Sequence, residues 1–368
     1  MLSWALLILL AVDPAQVTNL LRSGLLDLEH GQLAQARSEL EQASKLDPSN
    51  ALVWTSLVRA YSRLNQPALA QAAAAKAEQT GAGNPVVAHA LAIYYSGAGQ
   101  FAHAAALEAE YAQSPSADSG AAERVADLYL DAGDAHAALP FAQKAWSAAK
   151  NDPQTAFDYA QALLKTQDFT QAAEVLENAV ESNPNNAQLT LALGVARYGQ
   201  RRFPDAIAAF LKTIAIDPRI PQPYVFLGRM LDQAGAAMPA IVADYRRWMT
   251  MEPKGAEPPL LLAEALVASN SASDEAEPLL RRSIGLDPHN WEAHYQLGLL
   301  LSNKHSYRAA AAELEASTKL NPNEPMPHYH LARVYDRLGE SDRANAEREI
   351  HKRLMAAATH AAAAPSNQ

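Results

Sequence analysis

The sequence predicts an all-α solenoid of about ten stacked helix–turn–helix units. Three observations carry that reading. The stretch Trp291–Pro322, WEAHYQLGLLLSNKHSYRAAAAELEASTKLNP, holds two helical runs with a break at His305-Ser306 and a stop at Asn321-Pro322. Small residues, Gly298 and Ala310, stand where the two helices cross, and close crossing requires small side chains. The same pattern returns along the chain with a period of 34 residues. One helical hairpin cannot bury its own apolar face, so copies must stack.

Units start at Val17, Ala51, Pro85, Ser119, Pro153, Ala187, Pro221, Glu257, Trp291 and Pro325. Every step is 34 residues except Pro221 to Glu257, which is two longer. The eighth position is small in most units, as at Gly24, Ala92, Ala126, Ala160, Gly194, Gly228, Gly298 and Ala332. The twentieth is alanine in all ten, from Ala36 to Ala344. Gly31, Gly99, Gly133, Gly235 and Gly339 fall at the turn between the helices, where a left-handed backbone suits glycine. Pro48, Pro184, Pro218, Pro288 and Pro322 close second helices, each after an Asp or Asn. Tyr61, Tyr95, Tyr129 and Tyr335 share the eleventh position and read as core packers.

On these residues the chain resembles the tetratricopeptide repeat family. Unit two carries that family's pattern in Trp54, Leu57, Tyr61, Ala70 and Ala77, and the likeness runs from residue 17 to about 354. It implies a right-handed superhelix spanning residues 13–358. It also implies a concave groove lined by first-helix residues at positions two, five, nine, twelve and thirteen. Those positions supply Arg59 and Arg63, Asp127 and Asp131, Arg229 and Asp232, Tyr295 and Asn303, and Tyr329, Arg333 and Asp336, with Arg337 beside them. Arginine and tyrosine are enriched at binding hot spots. Partner-binding candidates are therefore Arg59, Arg63, Arg229, Tyr295, Asn303, Tyr329, Arg333 and Arg337. Tyr329 and Arg333 lie four apart on one helix, with Tyr295 at the matching place one unit earlier, an arrangement suited to a partly acidic extended peptide. The family's carboxylate clamp needs Lys, Asn and Arg across three adjacent units, and no three units here supply it.

Departures from the pattern carry their own expectations. Val58 and Glu264 replace the small eighth residue, so the helices there should sit further apart. The two added residues are read into Met251–Ala256, with Gly255 and Pro258-Pro259 marking a hinge. Pro140 and Pro278 come early enough in second helices to leave them intact. Residues 359–368 read as a disordered tail.

Trp4–Val12 is a continuous apolar run, too short to span a bilayer and shaped like the core of a secretory signal, although no Lys or Arg precedes it. The expectation is that residues 1–12 direct export to the periplasm or envelope; a cytoplasmic protein with an apolar capping helix is the alternative. The net charge of −10 and the lack of a basic block argue against nucleic acid and anionic membranes. The chain has no cysteine, which excludes disulfides, Cys-ligated metals and thiol nucleophiles. No phosphate-binding loop, His-Glu-x-x-His or Gly-x-Ser-x-Gly occurs. His294 and His328 share the fourth position, a packing place, so they read as structural and no metal or cofactor is expected. The expected function is a non-enzymatic scaffold for a protein or peptide partner in a bacterial envelope assembly or secretion complex. The alternative is a substrate-recruiting solenoid serving an enzyme such as a glycosyltransferase; self-association through end repeats is a further possibility.

Overall fold

The computed structural model describes residues 14–269 and 273–363. The apolar run Trp4–Val12 and the last five residues lie outside them. All regular structure among the described residues is helical, and each unit is a hairpin. The first five hairpins are α1 (Pro14–Glu29) with α2 (Leu33–Leu46), α3 (Ala51–Arg63) with α4 (Pro67–Thr80), α5 (Pro85–Gly97) with α6 (Phe101–Ala112), α7 (Ala121–Asp131) with α8 (Ala135–Ala148), and α9 (Pro153–Lys165) with α10 (Phe169–Ser182). They form one compact unit ending at Asn183. The second, from Pro184 onward, holds α11 (Ala187–Gly199) with α12 (Phe203–Ile216), α13 (Gln222–Gly228) with α14 (Met238–Met251), α15 (Glu257–Ala268) with α16 (Ser273–Leu286), α17 (Trp291–Asn303) with α18 (Tyr307–Leu320), and α19 (Pro325–Leu338) with α20 (Ser341–Ala363).

The hairpins close because their crossing points are bare. A Cβ on Gly194 would lie 2.6 Å from the Phe210 ring, and one on Gly298 2.6 Å from Leu314 Cγ. The twentieth-position alanines at 36, 70, 104, 138, 172, 206, 276, 310 and 344 are at most 1% exposed. Asn50, Asn84, Asp152, Asn186 and Asn290 cap first helices by accepting backbone N–H groups. The turns inside most of the described hairpins use a left-handed residue. Gly31, Gly99, Gly133 and Gly339 supply it, and in four other units Asn65, Gln167, Arg201 and His305 adopt φ of 55–63° despite having a side chain.

Two hydrogen bonds recur across unit junctions. The ring at position four donates to the carbonyl of the proline six residues before it: Trp54 to Pro48 (2.9 Å), Tyr224 to Pro218 (2.9 Å), His294 to Pro288 (3.2 Å) and His328 to Pro322 (3.1 Å). The two histidines also hold Nδ1 against Glu313 (2.7 Å) and Glu347 (2.6 Å), so they are structural. The tyrosine hydroxyl at position eleven donates to a glutamate on the preceding second helix, Tyr61 to Glu41 (3.0 Å) and Tyr335 to Glu315 (2.8 Å). Burial comes first and this bond second in pushing Tyr61 up to about 12.

The unit from Pro221 breaks the pattern in a different place from the one expected. Its first helix stops at Gly228, and two short 3-10 turns, Leu231–Gln233 and Gly235–Ala237, lead into α14. The register slips by one there. Ala240 is exposed and Ile241 takes the buried place. Only the remaining displacement reaches the 252–256 loop. Tyr224 stacks on Trp248 at 4.5 Å, and Tyr245 donates to the Tyr224 carbonyl at 2.9 Å, which ties the shortened first helix to α14. α8 and α16 run unbroken through Pro140 and Pro278. α20 continues to Ala363, so the first residues of the stretch read as a tail are helical. Its alanines have high helix propensity, which sustains the helix without an apolar face.

Candidate partner-binding faces

Several neighbouring first helices touch one another, α1 with α3, α3 with α5, α7 with α9, α13 with α15 and α17 with α19; of the second helices, α12 touches α14. The first helices so joined share one face within each unit.

In the N-terminal unit this face changes character along its length. Arg59 and Arg63 rim a pocket of about 500 Å³ between α3 and α5, floored by Val58, Ala90, Ile93 and Tyr94. Ile93 is 63% exposed, unusual for an isoleucine inside a packed array. Arg63 also donates to the Leu28 carbonyl at the end of α1, so part of its role is to cap the preceding unit. Lys165, at the same repeat position, reaches the Leu130 carbonyl at 3.4 Å. Beyond Ile93 the face turns acidic. Asp127 and Asp131 line a second pocket between α5 and α7, with Glu123 on the same helix. Burial, then the charges of Glu123 and Asp131, push the Asp127 carboxyl up to about 6. Asp158 on α9 is 5% exposed. Its Oδ1 accepts from Gln154 Nε2 at 2.9 Å, but its buried Oδ2 has no hydrogen-bond partner. Burial first and Asp127 second push it up to about 7.

In the C-terminal unit the face carries an aromatic ladder. Trp291 and Tyr295 of α17 lie 6.4 Å apart, Tyr295 meets His330 of α19 at 5.8 Å, and His330 meets Tyr329 at 5.1 Å. Arg333 sits 5.7 Å over the Tyr329 ring, and Tyr329 is 39% exposed. Tyr295 and Tyr329 do share one stripe, with His330 as the link that the spacing did not reveal. Burial and the charges of Arg333 and His351 hold His330 below the ordinary histidine value. Arg337 and Asn303 are exposed at the ends of α19 and α17, and Asp336 is paired with Arg348. Carboxylates adjoin the ladder: Glu324 raises the Tyr295 hydroxyl, which burial has already lifted, to about 12. Burial, then Glu257, raises Glu292. Glu264, at a helix crossing, is held up to about 7 mainly by burial and accepts from Gln296 at 2.9 Å. Arg229 caps the shortened α13 with its guanidinium 5.7 Å over Phe226. Asp232 lies instead in the pocket beside Arg246 and Glu275.

Sequence profiles described as tetratricopeptide repeat match residues 27–94, 129–177, 157–220 and 295–348, more than half of the chain. The chain belongs to the tetratricopeptide repeat family. A curated relative of this repeat protein is mouse protein O-mannosyl-transferase TMTC3, 27% identical over 192 residues, which make up 48% of this chain and 21% of the relative. The repeat chain thus spans about a fifth of that relative's length. Among solved structures it is similar to yeast Tom70 (14% identity, 92% of each chain, TM-score 0.42). It is also similar to PilF of Pseudomonas aeruginosa (19% identity, 58% of this chain and 98% of that one, TM-score 0.39). A third is YrrB, described as a TPR protein with an unusual peptide-binding site (16% identity, 58% and 91%, TM-score 0.35). Among the described residues no group of three or more His, Asp or Glu converges as a metal site, and no helix is long and apolar enough to cross a membrane.

Proposed function

We propose that this repeat protein is a non-enzymatic scaffold that holds an extended peptide, or an exposed strip of a partner protein, on its first-helix face. The observation that carries the reading is the ladder of Trp291, Tyr295, His330 and Tyr329 with Arg333 above it. Trp291, Tyr295 and His330 are half-buried, and Tyr329 stays open to solvent. Aromatic and guanidinium groups of this kind supply most of the energy of a protein interface. Arg333 and Arg337 suit acidic residues of the partner, whereas Glu292 and Glu324 suit a basic one, so the segment is of mixed charge. Replacing Tyr329 and Arg333 with alanine should weaken binding of a partner identified by co-purification by about 2 kcal/mol or more. Melting should hardly move, because neither residue fills a packing position. Wild-type affinity in the double variant would remove the assignment.

The setting belongs to the same proposal. The apolar run Trp4–Val12 supports export to a bacterial envelope, where the scaffold would serve an assembly or secretion complex. Sequencing the mature N-terminus from native cells tests it: an intact Met1 on cytoplasmic protein refutes export. Similarity to part of TMTC3 favours a second reading, a solenoid that recruits substrate for a transferase. One stoichiometric enzyme in the co-purified material would select it.

A further inference from the structure

The N-terminal unit holds four carboxylates that nothing nearby neutralises. Glu123, Asp127 and Asp131 stand on α7, and Asp158 on α9 faces Asp127. Among the described residues none of the four is in an ion pair. The cations nearest by sequence and packing are engaged elsewhere. Arg124 donates to Glu108 at 2.8 Å and to Asp118 at 2.9 Å, and Lys165 reaches the Leu130 carbonyl. An uncompensated acidic cluster is common on surfaces and by itself says little. Asp158 changes that, because a carboxylate oxygen buried without any donor is a cost that folding does not need. Alanine would serve the helix better, and asparagine would keep the bond to Gln154 without the charge. The missing partner is a donor with positive charge.

The same face offers an apolar seat one hairpin away, the pocket around Ile93, Tyr94 and Val58, and Ile93 lines the acidic pocket as well. We infer that the face running from α3 to α9 takes an extended segment of a partner protein that places an apolar side chain over Ile93 and a lysine or arginine over Asp127, Asp131 and Asp158. The inference rests on the reading of the first-helix face as a partner surface and names the chemistry of its N-terminal half. Spacing follows from the architecture. Packed helices lie about 8–10 Å apart, so the one step from α5 to α7 covers about 10 Å. An extended chain rises about 3.3 Å per residue, which puts the apolar and basic residues about three positions apart. Arg59, on the far side of the apolar pocket, favours an acidic residue beyond the apolar one.

The test uses the full chain and synthetic fluorescent peptides on a Gly/Ser background. Each carries one leucine and one lysine at varied separation; matched controls carry norleucine, which keeps the aliphatic stem and drops the charge. Wild type should prefer lysine over norleucine by about tenfold or more at low salt, most strongly at a separation near three. The triple variant Asp127→Asn, Asp131→Asn, Asp158→Asn should lose that preference while retaining a wild-type circular dichroism spectrum. Asp158→Asn alone should weaken lysine-peptide binding and yet melt no lower than wild type, a combination that a purely structural aspartate does not give. Equal binding of lysine and norleucine peptides, or an unchanged preference in the triple variant, overturns the inference and leaves the scaffold reading standing. Retention of no peptide at all likewise overturns the inference, while the scaffold reading stands or falls on the Tyr329 and Arg333 variant.

Discussion

Asp158→Asn should stabilise the protein, and the gain should depend on pH. In the unfolded chain an aspartate ionises near 3.8, whereas in the fold burial and Asp127 hold this one near 7. The folded state therefore binds the proton more tightly, and stability from this group falls as pH rises from about 4 through about 7. A shift of that size corresponds to about 4 kcal/mol. Solvent reaches the site past exposed Asp127, so a screened figure of about 2–4 kcal/mol is expected. Asparagine keeps the Oδ1 that accepts from Gln154 and puts an amide donor where Oδ2 has no partner, facing Asp127. Glu123 and Asp152 act in the same direction on the wild-type carboxylate. The assay is thermal melting of both proteins at pH 8 and pH 4.5, with hydrogen exchange across α7 and α9 to localise the effect. The variant should melt several degrees higher at pH 8, at about 2–4 °C per kcal/mol for a unit of this size, and the two curves should converge at pH 4.5. A variant that melts lower at pH 8, or a gain independent of pH, would show that Asp158 is not an unpaired charge.

Four further outcomes are expected from the fold. Gly194→Ala should cost about 1–3 kcal/mol in denaturant melts, because its Cβ meets Phe210, whose ring is fixed 4.9 Å from Phe226. Gly285→Ala in α16, with nothing within 4 Å, should instead gain about 0.5–1 kcal/mol. Arg201→Gly, which relieves a left-handed residue at φ 60°, should raise stability by up to about 1 kcal/mol, and a loss would mean that its side chain holds the turn. His328→Phe should cost about 1–3 kcal/mol, since the Pro322 carbonyl and the Glu347 carboxylate both lose a partner; an unchanged melting point would reduce the histidine to a filler.

The hairpins were legible because what builds them is local. A small residue at the crossing, an alanine twenty positions into the unit and a proline at its end can each be counted along the chain. The irregular unit was half legible. Its length betrayed two added residues, but the helix yields at Gly228, and the slip exposes Ala240 while burying Ile241. The faces were legible as positions and not as chemistry. Arg63 looked like a free groove cation because its acceptor, the Leu28 carbonyl, lies a full unit upstream. Asp127 was in view, but Asp158 sits at a position that usually packs, and only the approach of α9 to α7 brings the two together.

The position-four bond bears on how such a chain can grow. Its donor belongs to one unit and its acceptor to the unit before, as in Trp54 with Pro48 and His328 with Pro322. A duplicated stretch of 34 residues therefore brings a donor for the joint behind it and an acceptor for the joint ahead. Any ring with an N–H or O–H closes the joint, as tryptophan, tyrosine and histidine each do here. Copies can thus drift apart in letters while still fitting one another, and an array can gain or lose whole hairpins without a new interface having to be invented.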